Sequence, residues 1–220
     1  MPRLADLQAA IVDLDGTMVD TLGDFTVALN ATLRELSLPS LPQDAIALMV
    51  GKGSEHLVRS ALQAARGSPQ LYDAAWSAYQ RHYEAVNGEH SDVYPGVEEG
   101  LGALRGAGLR LACVTNKPTA FARELLARKG LARHFVQVFG GDAFERKKPD
   151  PLPLRRTCES LEVLPARTLV VGDSSNDAAA ARAAGCPVVL VTYGYNHGEP
   201  VRGVDADGFV DSLEELPRGL

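Results

Sequence analysis

The sequence predicts an α/β fold: a parallel sheet that lies between two layers of helices, with a helical module inserted after the first strand. Short apolar runs alternate with helical stretches over residues 97–210, whereas residues 21–90 contain no strand-like apolar run. Runs that are apolar on both faces are typical of parallel strands buried between helices. We therefore expect residues 1–20 and 91–220 to form the α/β core and residues 21–90 to form a separate helical domain.

The first strand is predicted at residues 10–12, a continuous apolar run that ends in Asp13-Leu14-Asp15-Gly16-Thr17. The Gly-Thr pair indicates the turn that follows the strand. The inserted module contains Ala- and Leu-rich stretches at helical spacing, which proline and glycine residues separate. Its four predicted helices cover residues 25–36, 43–50, 54–65 and 70–86.

The alternation of helix and strand resumes after Tyr94-Pro95-Gly96. Strands are predicted wherever a short, continuous apolar run ends in a turn or loop signal. These strands cover residues 109–114, 135–139, 168–171, 188–191 and 209–210. The helices between them cover residues 97–107, 119–130, 151–161 and 177–184.

The composition argues against several classes of function. The 220 residues are 45% hydrophobic and 23% charged, which is ordinary for a globular protein. A net charge of −6 without any Lys/Arg-rich block argues against nucleic-acid binding. No apolar run approaches the roughly 18 residues of a membrane span, and the chain start lacks the apolar stretch of a secretion signal. Because Cys113, Cys158 and Cys186 form no CxxC pair, we expect a cytoplasmic protein with buried thiols.

Acidic or hydroxyl side chains follow three of the predicted strands. Asp13 and Asp15 follow the first strand, Thr115-Asn116 the second and Asp173 the fourth. Ligand sites of open parallel sheets lie at the carboxyl ends of the strands. Two acids one residue apart are costly to bury unless a metal or a reaction uses them. The three strand ends together therefore predict a functional site at this edge of the sheet.

Each of these residues also has a purely structural explanation. Asp173 or Asp177 could cap the N-terminus of the following helix, and Thr115-Asn116 could cap a turn. Lys148, which follows two other basic residues, could be an ordinary solvated lysine. Each explanation is reasonable alone, but the occurrence of all these groups in one order along the chain favours a functional site.

Four ordered motifs resemble those of the haloacid dehalogenase superfamily. They are Asp13-Leu-Asp-Gly-Thr17, Thr115-Asn116, Lys148-Pro149 and Gly172-Asp-Ser-Ser-Asn-Asp177. The resemblance covers essentially the whole chain and implies a Rossmann-like three-layer core, with residues 21–90 as a helical cap domain. Residues 51–53, 94–97, 114–118 and 191–196 further resemble the bacterial phosphoglycolate phosphatases, a family within this superfamily.

The resemblance implies that Asp13 is the nucleophile of a phosphatase and forms an aspartyl-phosphate intermediate. Asp15 would protonate the leaving oxygen and then accept a proton from the water that hydrolyses the intermediate. Superfamily members that cleave carbon–halogen or carbon–phosphorus bonds lack an acid at this position. Mg²⁺ would bind the Asp13 and Asp173 carboxylates and the Asp15 backbone carbonyl, with Asp177 in support.

The same resemblance implies which groups bind the substrate. Thr115 would offer its hydroxyl to the phosphate, Asn116 and Gly16 their backbone amides, and Lys148 its positive charge. Lys52, between two glycines, would bind a small carboxylate of the substrate, although an exposed lysine in an ordinary turn explains it equally well. Weaker candidates for this contact are Arg59 and Lys117.

Three functions remain open from the sequence. The first is Mg²⁺-dependent hydrolysis of a small phosphorylated acid, above all 2-phosphoglycolate, by a monomer or homodimer. The second is a sugar-phosphate mutase, or a phosphatase for other small sugar or nucleotide phosphates, on the same scaffold. The third is a binding module on an inactive enzyme fold, which would lack the nucleophile, the acid or the lysine. All three groups are present.

Overall fold

The computed structural model describes residues 3–216 and confirms the predicted α/β fold. The strands are β1 (Ala9–Val12), β2 (Val19–Asp20), β3 (Asp92–Val93), β4 (Arg110–Val114), β5 (Gln137–Phe139), β6 (Thr168–Gly172), β7 (Val188–Val191) and β8 (Gly208–Val210). The α-helices are α1 (Leu22–Glu35), α2 (Gln43–Ala47), α3 (Ser54–Ala64), α4 (Tyr72–Val86), α5 (Val97–Gly106), α6 (Thr119–Arg128), α7 (Leu152–Ser160) and α8 (Ser175–Ala184).

Six of the strands form one parallel sheet in the order β5-β4-β1-β6-β7-β8. The side chains of β1 alternate between the two faces of the sheet, as its pleat requires. Ala10 and Val12 join one hydrophobic cluster, whereas Ala9 and Ile11 join another. Helices α5 and α6 cover the first face, and α7 and α8 cover the second. These layers bury β1 completely.

The register of the sheet brings three strand ends to the same level. Val12 of β1 lies opposite Cys113 of β4 and Val171 of β6. Strand β1 ends at Val12, and β4 and β6 each end one residue after the position opposite it. The residues that follow them, Asp13 and Asp173 among them, therefore leave the sheet at one edge.

Helices α1 to α4 pack around a third hydrophobic cluster. Tyr79 and Tyr83 of α4 are fully buried there, next to Phe25 and Leu29 of α1. The rings of Tyr79 and Tyr83 stack with their centroids 5.5 Å apart. All buried members of this cluster lie within residues 21–90, while Phe121 and Tyr195 pack against it from outside. This supports the assignment of residues 21–90 to a cap domain, and that assignment remains a prediction.

Helices α1, α4, α7 and α8 begin one to three residues away from the predicted positions, and for α4 and α8 the structure shows a local reason. Helix α8 begins at Ser175, earlier than predicted, because Ser174 caps it and Asp177 completes the capping box at the third helical position. Helix α4 begins at Tyr72, later than predicted, because Pro69–Leu71 form a separate 3-10 turn. Side-chain capping at α8 and the proline-containing turn before α4 each involve only a few residues. Neither changes the hydrophobic pattern from which the helices are predicted.

Strands β2 and β3 lie outside the prediction. They pair antiparallel, with Val19 opposite Val93 and Asp20 opposite Asp92, where the chain leaves the core and returns to it. A strand of this length contains too few residues for an alternation pattern. Only its pairing with a distant segment makes it recognisable.

Asp24, in the first turn of α1, connects the two linkers between the strand pair and the helical segment, namely the start of α1 and the returning chain at residues 88–90. Its side chain is fully buried and accepts hydrogen bonds from the backbone N–H groups of Gly88, at 2.8 Å, and His90, at 2.7 Å. Gly23 lies so close to the returning chain that a Cβ atom would come within 2.0 Å of the His90 carbonyl oxygen. The two linkers therefore pack as one unit.

Cys113 and Cys186 are buried and unpaired, as predicted, and Cys158 is buried and unpaired as well. Burial raises the pKa of the Cys113 thiol well above its usual value, so this thiol stays protonated. Within residues 3–216, no helix combines the length and the apolar character that crossing a membrane requires.

We expect the substitution Asp24→Ala to lower the free energy of unfolding by about 2–4 kcal/mol, because two hydrogen bonds to a buried carboxylate are lost. Asp44, which lies exposed in α2, provides the matched control. For Asp44→Ala we expect a change within about 0.5 kcal/mol. Urea denaturation of both variants and the wild type measures the difference. Equal stability of all three proteins would contradict the role of Asp24 in holding the linkers.

Candidate active site

Three carboxylates meet at the carboxyl edge of the sheet. Asp13 follows β1, Asp173 follows β6 and Asp177 lies in the first turn of α8. One oxygen of each carboxylate lies within 4.8 Å of the others. Burial and the neighbouring charges raise the pKa of Asp13 to about 7 and that of Asp173 well above its usual value. Carboxylates this close repel each other unless cations accompany them.

Lys148 places a buried ammonium among these carboxylates. Its Nζ lies 3.0 Å from Asp13 Oδ1 and 2.7 Å from Asp177 Oδ1, and it donates a hydrogen bond to the Val114 carbonyl oxygen at 2.8 Å. Burial alone would lower the pKa of Lys148, but the two carboxylates outweigh burial and raise it. The same pairing holds the pKa of Asp177 below its usual value despite burial. Only 3% of the Lys148 side chain is exposed, so it is not a solvated lysine.

Donors from two distant segments fix the position of Asp173. The Thr17 hydroxyl donates to Oδ1 at 3.1 Å, and the Tyr195 backbone N–H donates to Oδ2 at 2.6 Å. Gly194 allows this approach, because a Cβ atom there would lie 2.3 Å from the Asp173 Cβ. The sequence pattern did not indicate these supporting roles, since neither donor residue belongs to a strand end.

Asp177 has both carboxylate oxygens engaged. Oδ1 pairs with Lys148, whereas Oδ2 accepts hydrogen bonds from the Ser174 N–H at 3.2 Å and the Ser174 hydroxyl at 2.8 Å. Gly172 leaves the space that this carboxylate fills, because a Cβ atom there would lie 2.3 Å from the Asp177 Cγ. The capping explanation therefore applies to Asp177, and its position beside Asp13 and Asp173 is compatible with the functional one, which remains a prediction.

Gly16 adopts a positive φ of +81° in the turn after β1. Its N–H donates to the Val19 carbonyl oxygen at 2.9 Å. A Cβ atom at Gly16 would lie 2.4 Å from Asp173 Oδ2, so only glycine fits both the turn and the adjacent carboxylate. In this structure Gly16 thus contributes space for Asp173, while its amide serves the turn.

The acidic edge fits a divalent cation by its charge and by the chemistry of its donors. Three carboxylates and the single Lys148 ammonium leave two negative charges uncompensated, and a divalent cation would neutralise them. Carboxylate oxygens are hard ligands that suit such ions. The cluster of carboxylates consists of Asp13, Asp173 and Asp177. The side chain of Asp15, which the sequence suggests as a ligand through its backbone carbonyl, lies outside it.

Asp15 pairs with a second buried lysine. Lys117 Nζ lies 2.7 Å from Asp15 Oδ1, with 2% of the Lys117 side chain and 10% of the Asp15 side chain exposed. The sequence ranks Lys117 only as a weak candidate, although its place directly after the second motif is a signal in its favour. Arg59, the other weak candidate, lies over the ring of Tyr72 at 3.6 Å from its centre, within the helical segment.

A cavity of about 30 Å³, close to the volume of one water molecule in the liquid, lies between the core and the helical segment. The core side is lined by Asp13, Asp15, Thr115, Asn116 and Lys117, and the helical side by Phe25, Val50, Gly51, Gly53, Ser54 and Leu57. The structure therefore brings four of the predicted site residues, Asp13, Asp15, Thr115 and Asn116, to one small space.

The loop that carries Lys52 is attached to the core through one carbonyl group. The Gly51 carbonyl oxygen accepts hydrogen bonds from Asn116 Nδ2 at 2.9 Å and from Asn176 Nδ2 at 3.2 Å. Asn116 Nδ2 also donates to the Lys148 carbonyl oxygen at 2.9 Å. The Lys52 side chain is exposed, and Gly51 rather than Lys52 lines the cavity.

The chain is similar to known proteins over almost its whole length. Residues 10–191 match the model of the family of haloacid dehalogenase-like hydrolases. The chain is 48% identical over 211 residues to a plasmid phosphoglycolate phosphatase of Cupriavidus necator, which covers 95% of this chain and 91% of the relative. It is 47% identical over 215 residues to a phosphoglycolate phosphatase of Nitrosospira multiformis. That alignment covers 96% of this chain and 95% of the relative.

The chain is also similar to a solved structure over almost its whole length. A protein of Haemophilus somnus, described as a predicted phosphoglycolate phosphatase, superposes with a TM-score of 0.92 at 31% identity and 97% coverage of both chains. These similarities confirm the resemblance that the four motifs indicate. The order of the motifs, the parallel sheet with its acidic edge and the match over residues 10–191 agree. The chain belongs to the haloacid dehalogenase-like hydrolase family.

Proposed function

We propose that this chain is a Mg²⁺-dependent phosphatase that hydrolyses 2-phosphoglycolate to glycolate and phosphate. The observation that carries the proposal is the pairing of Asp13 with the buried Lys148 ammonium at 3.0 Å, beside a cavity that Asp15 also lines. This arrangement combines a nucleophile, a cation for the phosphoryl group and an acid–base residue. The relatives from C. necator and N. multiformis, both named phosphoglycolate phosphatase, support the substrate.

In the first step, a carboxylate oxygen of Asp13 attacks the phosphorus in line with the leaving oxygen. The bond between Asp13 and phosphorus forms as the bond from phosphorus to glycolate breaks, and Asp15 gives its proton to the leaving oxygen. Lys148, the Thr115 hydroxyl and the Asn116 backbone amide stabilise the negative charge on the phosphoryl oxygens.

In the second step, a water molecule attacks the phosphorus of the aspartyl-phosphate. Asp15, now a carboxylate, accepts a proton from this water, and the bond between phosphorus and Asp13 breaks. Phosphate leaves, Asp13 is restored as a carboxylate, and Asp15 is again protonated. One residue thus serves as acid in the first step and as base in the second.

The proposed metal ligands are the Asp13 and Asp173 carboxylates and the Asp15 backbone carbonyl, with Asp177 in support. Oxygen ligands of this kind suit Mg²⁺, which retains water molecules in the remaining positions. When bound, Mg²⁺ supplies positive charge against the phosphoryl oxygens and the attacking carboxylate. Burial, together with repulsion by Asp177 and Asp13, raises the pKa of Asp173, and a nearby cation would offset both effects.

The cavity of about 30 Å³ between the core and the helical segment is smaller than any phosphorylated substrate, so the helical segment must move away from the core before a substrate binds. We also propose a cytoplasmic location for a monomer or homodimer. Three buried free thiols support a reducing compartment.

The direct test is phosphate release from 2-phosphoglycolate, glucose 1-phosphate and a nucleoside monophosphate, each with and without Mg²⁺. We expect turnover that requires Mg²⁺ and a kcat/KM for 2-phosphoglycolate at least about tenfold above the others, because the site would bind the carboxylate as well as the phosphate. Weak hydrolysis of all three would contradict the substrate. Formation of glucose 6-phosphate with a bisphosphate activator would instead identify a mutase.

We expect Asp13→Asn to lower kcat by at least about 10⁴-fold, because the amide cannot form the acyl phosphate bond. Circular dichroism and thermal melting should show that the variant is folded. Asp73→Asn is the matched control, since Asp73 lies exposed in the first turn of α4, and it should retain wild-type kcat. Substantial turnover by Asp13→Asn would exclude Asp13 as the nucleophile.

We expect Mg²⁺ to raise the melting temperature of the wild type. At ten times its dissociation constant, a ligand of the folded state adds about 1.4 kcal/mol, or roughly 3–6 °C for a chain of this size. Asp173→Asn should abolish most of this shift, whereas Asp73→Asn should preserve it. Differential scanning fluorimetry with and without Mg²⁺, at constant ionic strength, measures the shift. An unchanged shift in Asp173→Asn would place the metal elsewhere.

A further inference from the structure

Lys117 is a buried lysine to which the two reaction steps give no role. Its Nζ lies 2.7 Å from Asp15 Oδ1, and 2% of its side chain is exposed. The Nζ also lies 4.6 Å from the ring centre of Phe25 and 4.8 Å from that of Tyr83. Aromatic faces stabilise a desolvated ammonium through cation–π interactions. The ammonium is thus enclosed between the core and the helical segment, at the wall of the cavity.

The Lys117 ammonium retains donor capacity. It has three N–H groups, and among the described residues Asp15 is the one acceptor to which it donates. Aromatic rings attract the cation but do not take the place of a carboxylate or carbonyl acceptor. Because Lys117 lines the cavity, this unused donor capacity favours an anionic group that enters it.

We propose that Lys117 binds the carboxylate of the substrate and thereby selects phosphorylated acids among phosphate monoesters. This proposal rests on the function proposed above. In 2-phosphoglycolate, a single methylene carbon separates the carboxylate from the ester oxygen that Asp15 protonates. A cation that is hydrogen-bonded to Asp15 is therefore within reach of that carboxylate.

Burial distinguishes Lys117 from Lys52, the candidate that the sequence favours for this contact. Lys52 is exposed, and water and salt screen an exposed ammonium. A buried donor discriminates strongly, because a substrate without the matching group leaves it unpaired. Lys148 pairs with Asp13 and Lys117 with Asp15. Each reacting carboxylate thus has its own lysine, one for the phosphoryl end of the substrate and one for its acid end.

The test compares Lys117→Met with Lys52→Met on two substrates. Both variants remove a charge and keep an unbranched side chain. The substrates are 2-phosphoglycolate and ethyl phosphate, in which a methyl group replaces the carboxylate. For Lys117→Met we expect kcat/KM to fall about 10- to 100-fold more for 2-phosphoglycolate than for ethyl phosphate, as for a lost hydrogen bond between charged groups. For Lys52→Met we expect the two values to change equally.

Three results would overturn the proposal, and they have different meanings. Equal losses on both substrates in Lys117→Met would reduce Lys117 to a residue that positions Asp15. A selective loss in Lys52→Met, with none in Lys117→Met, would transfer the carboxylate contact to Lys52. A wild type that hydrolyses ethyl phosphate as well as 2-phosphoglycolate would contradict the proposed function itself, and the selection by Lys117 with it.

A binding measurement separates recognition from turnover. Asp13→Asn lacks the nucleophile and leaves the ion pair of Lys117 with Asp15 in place, so calorimetry in Mg²⁺ can report ligand affinity without hydrolysis. Adding Lys117→Met to this variant should weaken the binding of 2-phosphoglycolate by about tenfold or more and change that of inorganic phosphate by less than about twofold. Equal effects on both ligands would overturn the proposal. If Lys117→Met does not fold, as judged by thermal melting, Lys117→Gln provides the same comparison.

Discussion

The arrangement of the carboxyl edge depends on one buried ammonium. Without Lys148, the carboxylates of Asp13 and Asp177 would face each other in a region of low dielectric constant, and burial would drive protons onto them. With Lys148 between them, the pKa of Asp177 is held below its usual value, so this carboxylate stays ionised. The desolvation of the ammonium is offset by three contacts, the third of which is the Val114 carbonyl. The strand register and the glycines around the edge serve the same purpose, since they let these groups approach.

The site and the helical segment are connected by the same side chains that complete the site. Asn116 donates both to the Lys148 carbonyl oxygen and to the loop carbonyl of Gly51. Tyr195 donates its N–H to Asp173, while its hydroxyl accepts the N–H of Leu22 at the start of α1. A displacement of the helical segment would therefore disturb the hydrogen bonds to the Lys148 carbonyl oxygen and to the Asp173 carboxylate. The helical segment and the carboxylate cluster thus share part of one hydrogen-bond network.

The sequence predicts the features that depend on patterns along the chain. Continuous apolar runs predict the parallel strands, and their ends correctly place Asp13 and Asp173 at one edge. What it does not predict depends on side-chain direction or on distant pairing. The position of Lys117 after the second motif brings it near the site, but the sequence does not show that its side chain turns inward to Asp15 while Lys52 stays exposed. The short strands β2 and β3 likewise exist only because two segments far apart in sequence meet.

The pairing of β2 with β3 has a consequence for how this architecture can diversify. Because paired strands lie about 5 Å apart, the chain leaves the sheet and comes back at practically one point, and the linkers beyond that point are fastened together by Asp24. A helical segment of different length or sequence can be spliced in at that junction without altering the strand register. Evolution can therefore exchange the helical segment while the strand ends and their carboxylates stay in place.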